Sequence, residues 1–123
     1  MTPLEERKAA LRKRTKAFGG SIVRLYISLD KHREEVRVLG KQLIRSGTSV
    51  AANYREASRA RSIDEFVAKV ELCVQEADET QLWLELLRDD CGITDSKLDS
   101  IWREADELIS IFITMAKNAK NDK

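Results

Sequence analysis

The stretch that decides the fold is residues 40–57, which read Gly-Lys-Gln-Leu-Ile-Arg-Ser-Gly-Thr-Ser-Val-Ala-Ala-Asn-Tyr-Arg-Glu-Ala. Apolar and small residues recur every three or four positions along it, which is the spacing of one helix face: Val36, Leu39, Leu43, Gly47, Val50, Tyr54 and Ala57. A second face at the same spacing carries short polar side chains and one carboxylate: Ser46, Ser49, Asn53 and Glu56. The pattern predicts a long helix with a buried apolar face and a separate polar face.

The polar face is unusual because its side chains are short. Solvated helix faces usually carry long charged residues, whereas Ser and Asn are mediocre helix formers that offer hydrogen bonds to a close neighbour. Gly47, Ala51 and Ala52 would also let another backbone approach. We interpret this face as a contact surface; the alternative is a polar face that points into water.

Composition favours one domain, 1–123, made of long helices. Of the 123 residues, 35% are charged, 6% are aromatic and only one is proline, so few positions interrupt a helix. No run approaches the roughly 18 apolar residues of a membrane span, and the first residues are polar and basic rather than a secretory signal. We expect a cytoplasmic protein without a membrane partner.

The remaining pattern predicts three further helices. Pro3 opens the first, and Ser62 with Glu65 three positions later has the form of a capping box at the start of the third. Gly92 would end that helix, and Thr94, or less favourably Ser96, would cap the fourth. Short links between long helices predict an all-α, up-down-up-down antiparallel four-helix bundle. The expected helices span about 4–29, 34–60, 63–90 and 95–117.

Charge divides the chain in two. Residues 1–61 contain fifteen Lys or Arg and six Asp or Glu, whereas residues 62–123 contain seven and fifteen, so nets of +9 and −8 lie behind the overall +1. A basic side of one copy can therefore meet an acidic side of the next, and such head-to-tail contacts close into rings when the rotation permits. The basic half also supplies candidate nucleic-acid-binding residues: Arg12, Lys13, Arg14, Lys16, Arg24, Arg37, Lys41, Arg55, Arg59 and Arg61.

A carboxylate pair lies on the third helix, where Glu76 and Glu79 sit among Leu72, Trp83 and Leu86 at alternating spacings of three and four. Such a pair can act as general acid and base or bind a metal in a bundle core. A di-metal bundle needs Glu-x-x-His motifs, and the chain has one histidine. The more economical interpretation pairs the carboxylates with helix two, within a subunit or across an interface. The candidate residues for that polar network or interface are Arg45, Ser46, Ser49, Asn53, Glu56, Glu76, Glu79 and Trp83.

The single histidine and two cysteines carry no recognisable chemistry. His32 falls in a polar link without an orienting partner. Cys73 fits an apolar helical pattern, and Cys91 beside Gly92 is expected to be partly exposed. Two cysteines cannot supply the four clustered ligands of a structural zinc site. We expect reduced thiols, no metal, no cofactor and no enzymatic activity.

Several sequence blocks resemble a known family. The blocks are residues 40–57, Arg61-Ser62 with Phe66, and Glu76-Ala77-Asp78-Glu79-Thr80 with Trp83-Leu84. They are similar to the S23-like four-helix-bundle proteins encoded by intervening sequences of bacterial 23S ribosomal RNA genes, over roughly residues 14–116. The resemblance implies a bundle that assembles into a ring, typically a homopentamer. It also implies a fold similar to the accessory variability proteins of diversity-generating retroelements, which work with a reverse transcriptase and its RNA. Those relatives are strongly basic and this chain is not.

Two functions therefore compete. The first is a ring-forming, non-enzymatic protein that binds structured RNA or a ribonucleoprotein through basic side chains of helices one and two. The second is a structural scaffold or accessory protein that binds a protein client, such as a retroelement reverse transcriptase, without touching nucleic acid. They differ in whether the basic side chains are exposed or consumed between subunits.

Overall fold

The chain folds into four α-helices. The structure is a computed structural model that describes residues 1–122, and its helices are α1 (Pro3–Ser28), α2 (Glu34–Ser58), α3 (Ile63–Asp89) and α4 (Ser96–Asn121). Each helix packs mainly against its neighbours along the chain, and the smallest of the four interhelical contacts joins α1 to α4. The predicted all-α four-helix bundle is confirmed.

Capping residues set the starts of α1 and α3. Thr2 Oγ1 accepts from the Glu5 amide at 3.1 Å while the Glu5 carboxylate accepts from the Thr2 amide at 2.9 Å, which forms a complete capping box ahead of Pro3. Ser62 Oγ accepts from the Glu65 amide at 3.0 Å, as predicted, but the Glu65 carboxylate accepts from the Arg61 amide at 3.4 Å, so the predicted capping box forms only in part. Both helices therefore begin with one otherwise unpaired amide satisfied by a side chain.

The predicted cap of α4 is wrong. The N-cap is Asp95, whose carboxylate accepts from the Lys97 amide at 2.9 Å, rather than Thr94 or Ser96. The backbone is still extended at Asp95 and becomes helical at Ser96, so the Asp95 side chain is the one that faces the free amides.

The end of α4 also differs from the prediction. The helix was expected to end near residue 117 and fray, but it continues to Asn121. Ala119 packs against the core, and Lys120 Nζ lies 3.2 Å from a Glu71 carboxylate oxygen on α3. These contacts hold the last turn against the neighbouring helix.

The core is formed by the apolar faces that the periodicity indicates. Tyr54 and Phe112 stack at its centre with ring centroids 5.9 Å apart. At the start of α3, Val67 is buried and Phe66 is half-buried against the core. Cys91 is buried rather than partly exposed. Its amide donates to the Leu86 carbonyl at 3.1 Å, which turns the segment after α3 back towards the bundle.

Candidate nucleic-acid interface

The polar face of α2 meets α3 inside the chain. Ser46 is fully buried, and its hydroxyl lies 2.8 Å from the Thr80 hydroxyl. Each hydroxyl also has a carbonyl of its own helix within reach, Glu76 at 2.7 Å from Thr80 Oγ1 and Leu43 at 3.3 Å from Ser46 Oγ, so either hydroxyl can donate to the other. This pair is a polar crossing point between two helices within one chain.

The remaining polar residues of that face make local bonds. Ser49 Oγ donates to the Arg45 carbonyl at 2.7 Å, and Asn53 Nδ2 donates to the Ser49 carbonyl at 3.0 Å. Both side chains are half-buried. Glu56 reaches across to α3, where Lys69 Nζ lies 3.5 Å from its carboxylate. The face therefore satisfies most of its polar groups without a second molecule.

Arg45 holds the carboxylate pair of α3. Its Nη1 lies 3.2 Å from Glu76 and its Nη2 lies 2.6 Å from Glu79. Within residues 1–122, no group of three or more His, Cys, Asp and Glu side chains is arranged to hold a metal ion. Trp83, the last candidate of this network, buries its indole N–H without a hydrogen-bond acceptor. The geometry of Glu76 and Glu79 is that of an interhelical ion pair.

Two of the ten candidate nucleic-acid-binding residues are neutralised. Arg14 joins α1 to α4: its Nε donates to Glu104 at 2.8 Å and its Nη2 donates to both Glu104 and Glu107 at 2.7 Å. The hydrogen bond to Arg14 lowers the pKa of Glu104, and the same bond raises the pKa of Arg14. Arg37 pairs with Glu34 one turn earlier on α2. Both cations already have a carboxylate partner, so they are weaker candidates for binding an added anion than cations without one.

The other eight basic side chains remain unpaired. Within residues 1–122, none of them lies within 4.0 Å of a carboxylate oxygen: Arg12, Lys13, Lys16, Arg24, Lys41, Arg55, Arg59 and Arg61. All are exposed except Arg12, which is half-buried. The charge of Arg12 lies close enough to Tyr54 to oppose the rise in the Tyr54 pKa that burial causes. The cations therefore continue from α1 onto α2.

Three of the unpaired arginines meet at the turn between α2 and α3. A cavity of about 400 Å³ opens there, and its lining consists of four cations and two carboxylates: Arg55, Arg59, Arg61, Lys69, Glu56 and Glu65. We call this cavity the α2–α3 corner pocket. The turn brings the start of α3 back past the end of α2, so residues from both helices share the cavity.

The sequence analysis missed Lys69. It is half-buried and belongs to the acidic second half of the chain, so charge counting gave it no weight. A signal was available, since Lys69 follows the predicted start of α3 by less than two turns and must lie beside the end of α2.

Cysteine chemistry plays no part in this surface. Cys73 and Cys91 are both buried free thiols, and burial raises the pKa of Cys73 to about 12. A thiol with such a pKa is protonated and unreactive at neutral pH.

These features define an all-α four-helix bundle whose first two helices carry an unpaired basic surface. Comparison with known proteins gives its family: the model of the 23S rRNA-intervening sequence protein family matches residues 7–114, and the chain belongs to that family. The resemblance read from residues 40–57 is thereby confirmed. No helix among residues 1–122 is long and apolar enough to span a membrane.

A solved structure agrees with this assignment. It is the crystal structure of a protein with unknown function from the S23 ribosomal protein family of Bacteroides thetaiotaomicron VPI-5482. It is 35% identical to this chain, covers 89% of this chain and 97% of its own, and superposes with a TM-score of 0.79. A search of curated proteins finds no match. Neither the family description nor that of the crystal structure names a reaction.

Proposed function

We propose that this protein is a non-enzymatic RNA-binding protein that acts as a cyclic oligomer, with the homopentamer as the form that its family resemblance implies. The observation that supports RNA binding is the convergence of Arg55, Arg59 and Arg61, whose guanidinium groups form no ion pair within residues 1–122, around the α2–α3 corner pocket. Four cations face two carboxylates there, which leaves the pocket positively charged.

The pocket suits phosphate. A guanidinium group presents a planar fork of donors that matches two phosphate oxygens at once. Lys69 is already engaged with Glu56 at 3.5 Å, so the three arginines are the groups available to an added anion. Because the pocket lies at a bundle corner, a polyanion can pass over it without entering the bundle.

Base stacking contributes little to this proposed interface. Every Phe, Tyr and Trp within residues 1–122 is buried or half-buried. Single-stranded RNA binding that depends on stacking uses exposed aromatic side chains. Contacts would therefore be directed at phosphates and would discriminate weakly between sequences. A ring would multiply such weak contacts by presenting the pocket once in each copy.

The test measures affinity for a labelled structured RNA by fluorescence anisotropy over a series of salt concentrations. The double variant R59Q/R61Q removes two charges from the pocket. We expect weaker binding at low salt and a shallower dependence of log K on log salt, by roughly 0.7–0.9 for each phosphate that the variant no longer neutralises.

The matched control is Arg103→Gln. Arg103 is an exposed cation on α4 without an ion pair in residues 1–122, and it lies in the acidic half. The Arg103→Gln substitution removes one charge of the same kind and should leave the salt dependence of RNA binding unchanged. Equal binding by wild type and R59Q/R61Q would refute the proposed site. An assembly that ignores RNA at low salt would favour the alternative, a scaffold for a protein client such as a reverse transcriptase.

A further inference from the structure

Helix α3 is apolar on two opposite faces. Its inner face is buried in the bundle. Its outer face repeats at spacings of four and three residues and consists of Ala68, Leu72, Gln75, Glu79, Leu82 and Leu86. Leu72 keeps 37% and Leu82 keeps 47% of its surface exposed. A helix that is apolar on both sides is usually covered on both sides, and alternating spacings of three and four are those with which helices pack along one another.

Helix α1 presents an outer face with the same spacing. It consists of Ala9, Lys13, Lys16, Gly20, Val23 and Ile27. Ile27 is 68% exposed, more than any other large apolar side chain within the four helices. Gly20 lies at the centre of this face, where the Arg24 guanidinium covers it, so a facing side chain has to displace only the end of that flexible side chain. The same chain thus offers a second surface of the length and period that the outer face of α3 requires.

Unpaired charges on or beside the two faces are opposite. Lys13 and Lys16 have no carboxylate within 4.0 Å in residues 1–122. On α3, the exposed Asp78 lies at the edge of the outer face and forms no ion pair in the described part of the chain. Glu85 faces α4 instead, where it accepts a hydrogen bond from the Trp102 indole at 3.0 Å. A contact between the faces would bring Lys13 and Lys16 near Asp78.

The outer face of α2 is a poorer partner for α3. The exposed apolar side chain that α2 offers, Val38, is smaller and less exposed than Ile27, at 46%.

We propose that the outer face of α3 in one copy packs against the outer face of α1 in a second copy. The inference rests on the cyclic oligomer of the proposed function and names the two surfaces that build it. The two surfaces differ, so the contact is head-to-tail, and repeating it closes a ring when the rotation between copies permits. The apolar residues supply affinity, and the charges set which faces meet.

This contact divides the basic residues into two sets. Lys13 and Lys16 lie between copies and are withdrawn from nucleic acid. Arg59 and Arg61 lie at the α2–α3 corner pocket and stay available. Assembly and RNA binding thus depend on different side chains of the same basic half.

The test uses two substitutions of exposed side chains, Leu82→Asp and Ile27→Asp, and measures mass by light scattering on a size-exclusion column. Each variant should fall to the monomer mass of 14.0 kDa while its circular dichroism stays that of the wild type. In an equimolar mixture, the intact α1 face of L82D can meet the intact α3 face of I27D. One junction then forms, so the mixture should give a dimer of about twice the monomer mass, with no larger ring.

The control substitutions are Val38→Asp and Ile113→Asp, which place the same charge at exposed apolar positions of α2 and α4. Both should keep the wild-type mass. The α1–α3 contact would be overturned if L82D or I27D keeps the wild-type mass, or if V38D loses assembly and I27D does not. The proposal that the wild-type protein forms a ring would survive either result. If L82D is monomeric and I27D assembles normally, α3 pairs with something other than α1. A wild-type monomer would overturn the ring and this contact together, whereas RNA binding by R59Q/R61Q tests the other half of the proposed function separately.

Discussion

Replacing Gly47 by alanine should destabilise the bundle, although alanine is the better helix former. A Cβ on Gly47 would lie 2.6 Å from Ile22 Cγ1, 2.9 Å from Cγ2 and 3.0 Å from Cδ1. Ile22 is fully buried and cannot move aside. Overpacking of this kind costs about 1–3 kcal/mol, and helix propensity returns about 1 kcal/mol. We expect the free energy of unfolding to fall by up to about 2 kcal/mol.

The matched control is Gly19→Ala, at the same contact between α1 and α2. A Cβ on Gly19 would meet Thr48 Cα at 3.9 Å, an ordinary van der Waals distance, so this variant should gain up to about 1 kcal/mol. Urea unfolding followed by circular dichroism, at one protein concentration for all variants, measures both changes. The reasoning is refuted if the two alanine variants change stability in the same direction and by the same amount.

A double-mutant cycle sharpens this test. Ile22→Ala alone should cost about 2–5 kcal/mol, because it leaves a cavity in the core. In the double variant, the methyl group that Gly47→Ala adds occupies part of that cavity and no longer meets the branches of Ile22. The cost of the double variant should therefore be smaller than the sum of the single costs, by roughly 0.5–3 kcal/mol. Strict additivity would show that the two residues are not in contact.

Three further changes have expected outcomes. Glu104→Gln should remove about 1 kcal/mol of stability at neutral pH. Because Arg14 lowers the Glu104 pKa in the folded state, this loss should be present above the usual carboxyl pKa of 4.5 and disappear as pH falls through the lower folded-state pKa. Urea unfolding at several pH values measures it. Ser46→Ala should cost about 1 kcal/mol in the same assay, since it deletes the buried bond to Thr80 while Thr80 keeps its bond to a backbone carbonyl. Gly92→Ala should lower the melting temperature by a few degrees, because Gly92 has φ 73° and a side chain there costs about 1 kcal/mol.

The helices and their buried faces could be predicted from sequence because periodicity is a local property. The spacing of Leu43, Val50 and Tyr54 needs no knowledge of what lies opposite. The short polar face of α2 could likewise be recognised, although among its short side chains only Ser46 bonds to another helix of the chain. Its partner Thr80 could not be singled out, since it depends on how far one antiparallel helix slides along the next, and residue spacing does not encode that register.

The candidate site, too, was predictable from sequence only in part. Arg14 was a reasonable nucleic-acid candidate until the fold placed it beside Glu104, ninety positions away in the chain. Lys69 was missed for the converse reason, because only the tight turn between α2 and α3 brings it to Arg59. Charge content along the sequence predicts which half is basic. Tertiary packing determines which cations are already neutralised.

The near-zero net charge of this protein does not conflict with RNA binding, because a polyanion responds to local potential. At physiological ionic strength the Debye length is about 8 Å, so charges separated by more than that distance across the surface act almost independently. Internal pairs neutralise Arg14, Arg37 and Arg45, and the cations that remain unpaired include Arg59 and Arg61 at one corner of the bundle. The acidic residues of α3 and α4 then limit nonspecific attraction over the rest of the surface, and in the proposed ring they would orient one copy against the next. A neutral chain with segregated charge can thus bind both itself and an anion, whereas a uniformly basic chain of the same fold would bind the anion and repel its own copies.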